Sequence, residues 1–226
     1  SIPTMFDMVG SRPLSVQVDG KSKMKPIENY GVKVLSIGFF TKPNQAVIWR
    51  GPMASKALNQ MIFDSAWGDL DFLLIDLPPG TGDAQLSLAQ NSKISGSIIV
   101  STPQDVALID ARKGLKMFDK VEVPVLGVIE NMSTFICPKC GTTESIFGEG
   151  GGEQLAQEND VKLLGELPLQ KHIREEMDKG TPTVSVNPES PTSMAFREIA
   201  RKMTATLSMR KKDYSAVFPK IVIQND

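Results

Sequence analysis

The spacing of apolar positions changes period along the chain, and each change marks an element. Ser15-Val16-Gln17-Val18 and Met24-Lys25-Pro26-Ile27 flank Asp19-Gly20, which predicts a small hairpin. Residues 32–37 and 46–49 read as strands, and Met53, Leu58, Met61 and Ile62 place a helix over 53–65. Phe72-Leu73-Leu74-Ile75 is a continuous apolar run ending in Asp76, the pattern of a strand buried on both faces. Strict alternation follows: helix 84–92, strand 97–101, helix 105–119, strand 124–130, helix 152–159 and strand 161–165. Helices 170–178 and 191–208 close the pattern. Strands joined by crossover helices predict an α/β fold: one doubly wound, mostly parallel sheet with helices on both faces. Residues 209–226 form a C-terminal tail with a short apolar stretch, for which a packing strand is the default expectation.

Composition narrows the classes. The chain has 226 residues, 41% of them hydrophobic, enough for one sizeable core. Its 25 basic and 26 acidic residues leave a formal charge of −1, which offers no concentrated basic surface for nucleic acid. No apolar run approaches the roughly 20 residues that span a bilayer, so no membrane partner is expected. Two cysteines three residues apart cannot staple a secreted fold, and a soluble cytoplasmic protein is expected. The start, Ser1-Ile2-Pro3-Thr4, has neither an initiator Met nor the layout of a signal or transit peptide.

In open parallel sheets, ligands bind beyond the carboxyl ends of the strands. The most informative such end is Asp76-Leu77-Pro78-Pro79-Gly80-Thr81-Gly82-Asp83. A carboxylate at the tip of a buried strand can hold Mg²⁺ through water, and Gly80 and Gly82 let backbone N–H groups approach a phosphate. The string looks like a Walker B strand running into a switch II loop. Gly20-Lys21-Ser22 imitates the tail of a Walker A loop, but Ser15 stands where the leading glycine belongs and Pro26 prevents a following helix. It reads as a hairpin turn, and the chain offers no phosphate cradle.

Cys137-Pro138-Lys139-Cys140-Gly141 places two thiols at chelating spacing, with Lys139 expected to lower their pKa. Four soft ligands are most simply reached by two chains across a two-fold axis, since the remaining candidate is the distant His172. A cluster or labile metal, a structural zinc and a redox pair all fit the spacing. Asp110, Arg112 and Lys113 read as a solvated or dimer-facing surface, and Met5, Met8, Met53 and Met61 as packing.

Taken together and in this order, Trp49-Arg50-Gly51-Pro52-Met53, Trp67-Gly68-Asp69-Leu70-Asp71, the 76–83 string, Ser101-Thr102-Pro103-Gln104, Glu130-Asn131-Met132-Ser133 and Cys137-Pro138-Lys139-Cys140 resemble the Mrp/ApbC family of P-loop iron–sulfur cluster carrier ATPases, relatives of MinD and ParA. The resemblance runs over about residues 1–208. It implies that Asp76 is the Walker B acid and Gly80 the switch II amide near the γ-phosphate. It implies that Asn131 reads the adenine edge, that Pro168 lies in a loop against the base, and that Cys137 and Cys140 bridge a labile [4Fe–4S] cluster between two subunits. ATP and Mg²⁺ follow as cofactors, a homodimer and apo iron–sulfur proteins as partners, and the bacterial cytoplasm rather than an organelle as location. The family's phosphate-binding loop would precede Ser1. The expectation is therefore a single P-loop NTPase-like domain, 1–226, lacking its Walker A segment, inactive as an ATP hydrolase by itself. The competing reading is a zinc-stapled dimeric MinD/ParA-like ATPase that acts as a binding or partitioning module.

Overall fold

The computed structural model describes residues 1–41, 51–78 and 82–210; the strand expected over 46–49 and most of the 209–226 tail lie outside them. The first piece is built of tight turns. After α1 (Ile2–Met5), β1 (Leu14–Val18) and β2 (Lys21–Lys25) pair antiparallel from Leu14↔Lys25 to Val18↔Lys21. Asp19 and Gly20 both take positive φ (52° and 72°), as a two-residue hairpin turn requires. Tyr30 and Gly31 repeat the device, at 52° and 71°, between β3 (Ile27–Asn29) and β4 (Val32–Val34). The strand expected over 32–37 is thus cut to a short antiparallel one. Ser36 ends it by accepting the Gly38 amide at 3.1 Å and starting a 3-10 turn. Met8, Val34 and Phe39 bury a small core beneath these turns. Tyr30 Oη donates to the Gly180 carbonyl at 2.7 Å and ties this piece to the far end of the chain.

Next comes α2 (Gly51–Phe63), whose exit is stitched to β2 by Met24 N–H to the Asp64 carbonyl (2.9 Å) and Ala66 N–H to the Met24 carbonyl (2.7 Å). The expected strand at 72–75 is not formed. Residues 72–78 run without belonging to any ladder, and Phe72, Leu73 and Leu74 are exposed, Leu74 by 76%. Apolar side chains supply only the demand for burial. A strand also needs neighbours to take its backbone groups, and these residues have none among those described. Gln85, on α3 (Asp83–Asn91), anchors the end of the run by donating to the Pro78 carbonyl at 2.7 Å.

The remaining residues form the expected layered sheet. Its strands are β5 (Ser97–Ser101), β6 (Val125–Ile136) and β8 (Leu163–Leu169), parallel in the order β5-β6-β8. β7 (Thr143–Glu144) folds back antiparallel on the end of β6. On one face, α4 (Asp105–Lys120) and α5 (Gly151–Glu158) cover Ile99 and Val128 with Leu108, Leu115, Phe118 and Leu155. After α6 (Lys171–Asp178) and the short α7 (Thr183–Val186), α8 (Pro191–Ser208) covers the opposite face, where Ile199 meets Leu164 and Leu167. α8 begins where Ser190 caps the Ser193 amide and Pro191 opens the first turn, so its bounds are those expected. Gly127 permits the close β6–β8 approach: a Cβ there would lie 2.5 Å from the Lys162 carbonyl oxygen. Of the four methionines read as packing, Met8 is buried and Met53 is exposed.

Candidate functional site

The cysteine pair sits on a hairpin tip. Phe135 and Ile136 of β6 pair with Glu144 and Thr143 of β7, so residues 137–142 must reverse the chain. Cys137 N–H donates to the Thr142 carbonyl and Gly141 N–H to the Cys137 carbonyl, both at 2.9 Å, and Gly141 takes φ +75° to close the turn. Cys137 is half-buried and Cys140 exposed, both as free thiols. Cys140 Sγ lies 3.2 Å from Thr142 Oγ1. That contact, with the Thr142 backbone and the neighbouring Cys137, brings the Cys140 thiol down to about 7. The sequence pointed to Lys139 for this effect; a hydroxyl two residues beyond the cysteine produces it instead. No group of three or more His, Cys, Asp or Glu able to hold a metal occurs among the described residues. One copy of the turn therefore supplies two soft donors and no more.

Asp76 is exposed at the end of the 72–78 run, and Gly80 lies outside the described residues. Asp76 and Asn131 line the same cleft, of about 900 Å³, between residues 73–78 and β5. Leu74 and Ile75 form part of one wall, Ile98 and Val100 part of the other. Among the described residues β5 pairs with β6 alone, so its cleft-side edge carries no strand. The cleft falls near the upper end of the volumes of ligand sites, but its walls are mainly aliphatic.

The β6–β8 ladder sets Asn131 opposite Leu167, one residue before Pro168, so the two residues are neighbours; Pro168, however, lies within β8 and not in the expected loop, because β8 runs on to Leu169 beside β6. Asn131 Oδ1 accepts the Met132 amide at 3.0 Å, and Met132 sits at φ +56°. This fixes the side-chain amide with its oxygen engaged and its NH₂ as the end available to donate. Ser133 Oγ donates to the Leu167 carbonyl at 3.3 Å and holds the same crossing. Arg112 stays at the surface and pairs there: its Nε donates to Glu158 Oε2 at 3.2 Å and links α4 to α5. Lys113 pairs with Asp110 on the surface at 3.3 Å.

Glu130 enters the sequence reading only as the first residue of the Glu130–Ser133 string, with no role of its own. It occupies the centre of the sheet, 2% exposed, and accepts the Gly152 amide on Oε2 at 2.6 Å. Burial raises its pKa; the Gly152 amide opposes this, and the Glu166 and Glu153 carboxylates add to the rise. The signal that marks it is the glycine run at 150–152. A Cβ at Gly152 would lie 2.8 Å from Glu130 Cβ, and one at Gly151 would lie 2.5 Å from the Pro103 carbonyl oxygen.

Comparison with known proteins places this arrangement. The ParA family described as NUBPL iron-transfer P-loop NTPase matches residues 1–204. An iron–sulfur cluster carrier protein of Escherichia coli K12 is 53% identical over 207 residues, which is 92% of this chain and 55% of that protein. A mitochondrial iron–sulfur protein of Arabidopsis thaliana required for NADH dehydrogenase is 48% identical over 92% of the chain and 65% of its own length. Among solved structures, a nucleotide-binding protein from Archaeoglobus fulgidus in complex with ADP superposes with a TM-score of 0.67 at 32% identity. That match covers 86% of this chain and 73% of the other. The chain thus spans just over half the length of the bacterial relative.

Proposed function

We infer that this chain, which belongs to the NUBPL iron-transfer P-loop NTPase family, is part of an iron–sulfur cluster carrier that holds its cargo on the Cys137–Cys140 turn. The observation that carries the reading is the turn itself: two thiols on an exposed hairpin tip, one of them already near 7, offered as half of a four-ligand set. Two copies across a two-fold axis complete the set, which suits a labile [4Fe–4S] cargo passed on to apo-proteins. An exposed tip lets a recipient's thiols reach the metal, whereas a buried site would hold it.

Nucleotide control belongs to the whole protein. Asp76 would hold Mg²⁺ through water, Gly80 would face the γ-phosphate, and Asn131 with Pro168 would take the adenine. Bound Mg²⁺ would neutralise phosphate charge. The 226 residues hold no Walker A pattern, and the aliphatic cleft beside β5 would suit a further strand. By themselves the residues here should not hydrolyse ATP. No helix among the described residues is long and apolar enough to cross a membrane. With a bacterial relative at 53% identity, the bacterial cytoplasm is the proposed location.

The test is anaerobic reconstitution with ferrous iron and sulfide, reading absorbance near about 400 nm against molar mass by light scattering. One oxygen-sensitive cluster per two chains is expected, absent from Cys137→Ser and Cys140→Ser. A colourless chain that holds zinc tightly would overturn the carrier reading in favour of a metal-stapled dimer. Steady ATP turnover by this chain, lost in Asp76→Ala, would overturn the reading that these residues lack a phosphate-binding loop.

A further inference from the structure

The cysteine turn is the far point of a long excursion. The chain stays in the sheet along β6 as far as Phe135, which pairs with Leu169 of β8, then turns at 137–142 and comes back to the body of the fold at Gly151, where α5 begins. The β6–β7 pairing holds the outward arm over two residue pairs. The return arm ends at a helix whose N-cap position is Gly150, which has no side chain to satisfy the first amides. The Glu130 carboxylate reaches across from β6 and takes the Gly152 amide at 2.6 Å. It also places negative charge at the positive end of α5. The glycines at 151 and 152 let the helix start come this close to Pro103 and Glu130.

We propose that Glu130 is a positioning residue for the cysteine pair: its bond to Gly152 anchors the return arm of the 137–150 excursion, as the Phe135–Leu169 pairing anchors the outward arm, and the two together fix where Cys137 and Cys140 stand relative to the sheet. Glu130 touches no cargo. It acts through the α5 start and through its neighbour Asn131, so a single carboxylate joins the adenine-side edge of the sheet to the loop that carries the thiols. A buried carboxylate is costly unless bonded, and the purely structural alternative, an apolar residue packed against α5, would leave the amide unmet. The proposal rests on the reading of Cys137 and Cys140 as the cargo-holding pair, but its test needs no metal.

Spin labels on Cys140 and on an introduced Lys202→Cys, in a Cys137→Ser chain, report the turn's position relative to α8 by double electron–electron resonance. Glu130→Ala is expected to broaden the distance distribution about twofold. It should also speed exchange of the Gly152 amide about fivefold, as loss of a cap does. Glu130→Gln keeps an oxygen acceptor of the same shape and should hold the parent width. Glu130→Met fills the space without an acceptor and takes the place of the alanine if that chain does not fold; it should broaden equally. An unchanged width in the alanine or methionine chain, or a glutamine chain as broad as theirs, would overturn the proposal. Failure of the cargo reading would show separately, as iron retention indifferent to Cys137→Ser and Cys140→Ser.

Discussion

Two apolar runs of similar composition meet opposite fates in this protein. Val125, Leu126, Val128 and Ile129 of β6 lie between β5 and β8 with helices on both faces, and Val128 is 0% exposed. Phe72, Leu73, Leu74 and Ile75 have the same appetite for burial and stay outside every ladder among the described residues, the first three of them exposed. The difference lies in what stands on either side, not in intrinsic preference. A parallel strand at the centre of a sheet is held by partners on its backbone edges and cover on its faces, and β6 has both.

The sharpest way to break this contrast is to excavate the covered side. Leu155→Ala, at a position with no exposure beneath β6, should lower unfolding free energy by about 3 kcal/mol. Leu74→Ala should change it by less than about 0.5 kcal/mol. Denaturant titration with far-UV dichroism measures both, and equal losses would mean the 72–78 run is packed after all. A smaller effect comes from crowding the ladder. Gly127→Ala forces a methyl to 2.5 Å from the Lys162 carbonyl oxygen and should cost about 2 kcal/mol by the same measurement.

Protonation sharpens the contrast more gently. Burial raises the Glu130 pKa above its unfolded value, so the folded state holds the proton more tightly. The stability Glu130 contributes is then fully present below the unfolded value of 4.5 and is lost as pH rises through the raised folded value. Melting temperatures across that window should fall for the parent chain relative to Glu130→Gln. A difference independent of pH would refute the assignment. The smallest effect is local. Alkylation of Cys140, followed by peptide mapping, should rise through about pH 7, and Thr142→Ala should move that rise to higher pH without altering the melting temperature.

The layered half of the fold was legible because its signals agree across levels. The α8 region combines a Ser190 cap, Pro191 at the first position and helical apolar spacing, and β5 is a short β-branched run between turns. The first piece was legible in its hairpin turn and misread beyond it. Tyr30-Gly31 makes a second two-residue turn of a kind that Asn-Gly or Asp-Gly would have announced more clearly. β6 runs six residues past its expected end, since Asn131 reads as a strand terminus while its partners, β8 at Asn131 and Phe135 and β7 at Phe135 and Ile136, come from later in the chain. The cysteine turn was plain in the sequence, as its spacing is local. The thiol's environment was not, because it depends on where the Thr142 hydroxyl points. The role of Glu130 was hidden for a related reason: its partner lies twenty-two residues away, and only the cost of a Cβ at Gly152 betrays it.

The open side of β5 also governs how the molecule behaves in company. A row of amides and carbonyls with no strand beside it among the described residues is a template, and the most abundant complement is another copy of the same edge. Capture by a completing segment of the same polypeptide is first order, independent of how much protein is present. Capture by a stranger is second order, and its rate quadruples when the concentration doubles. Expression level and dilution therefore decide how far this edge is occupied by other copies of the chain.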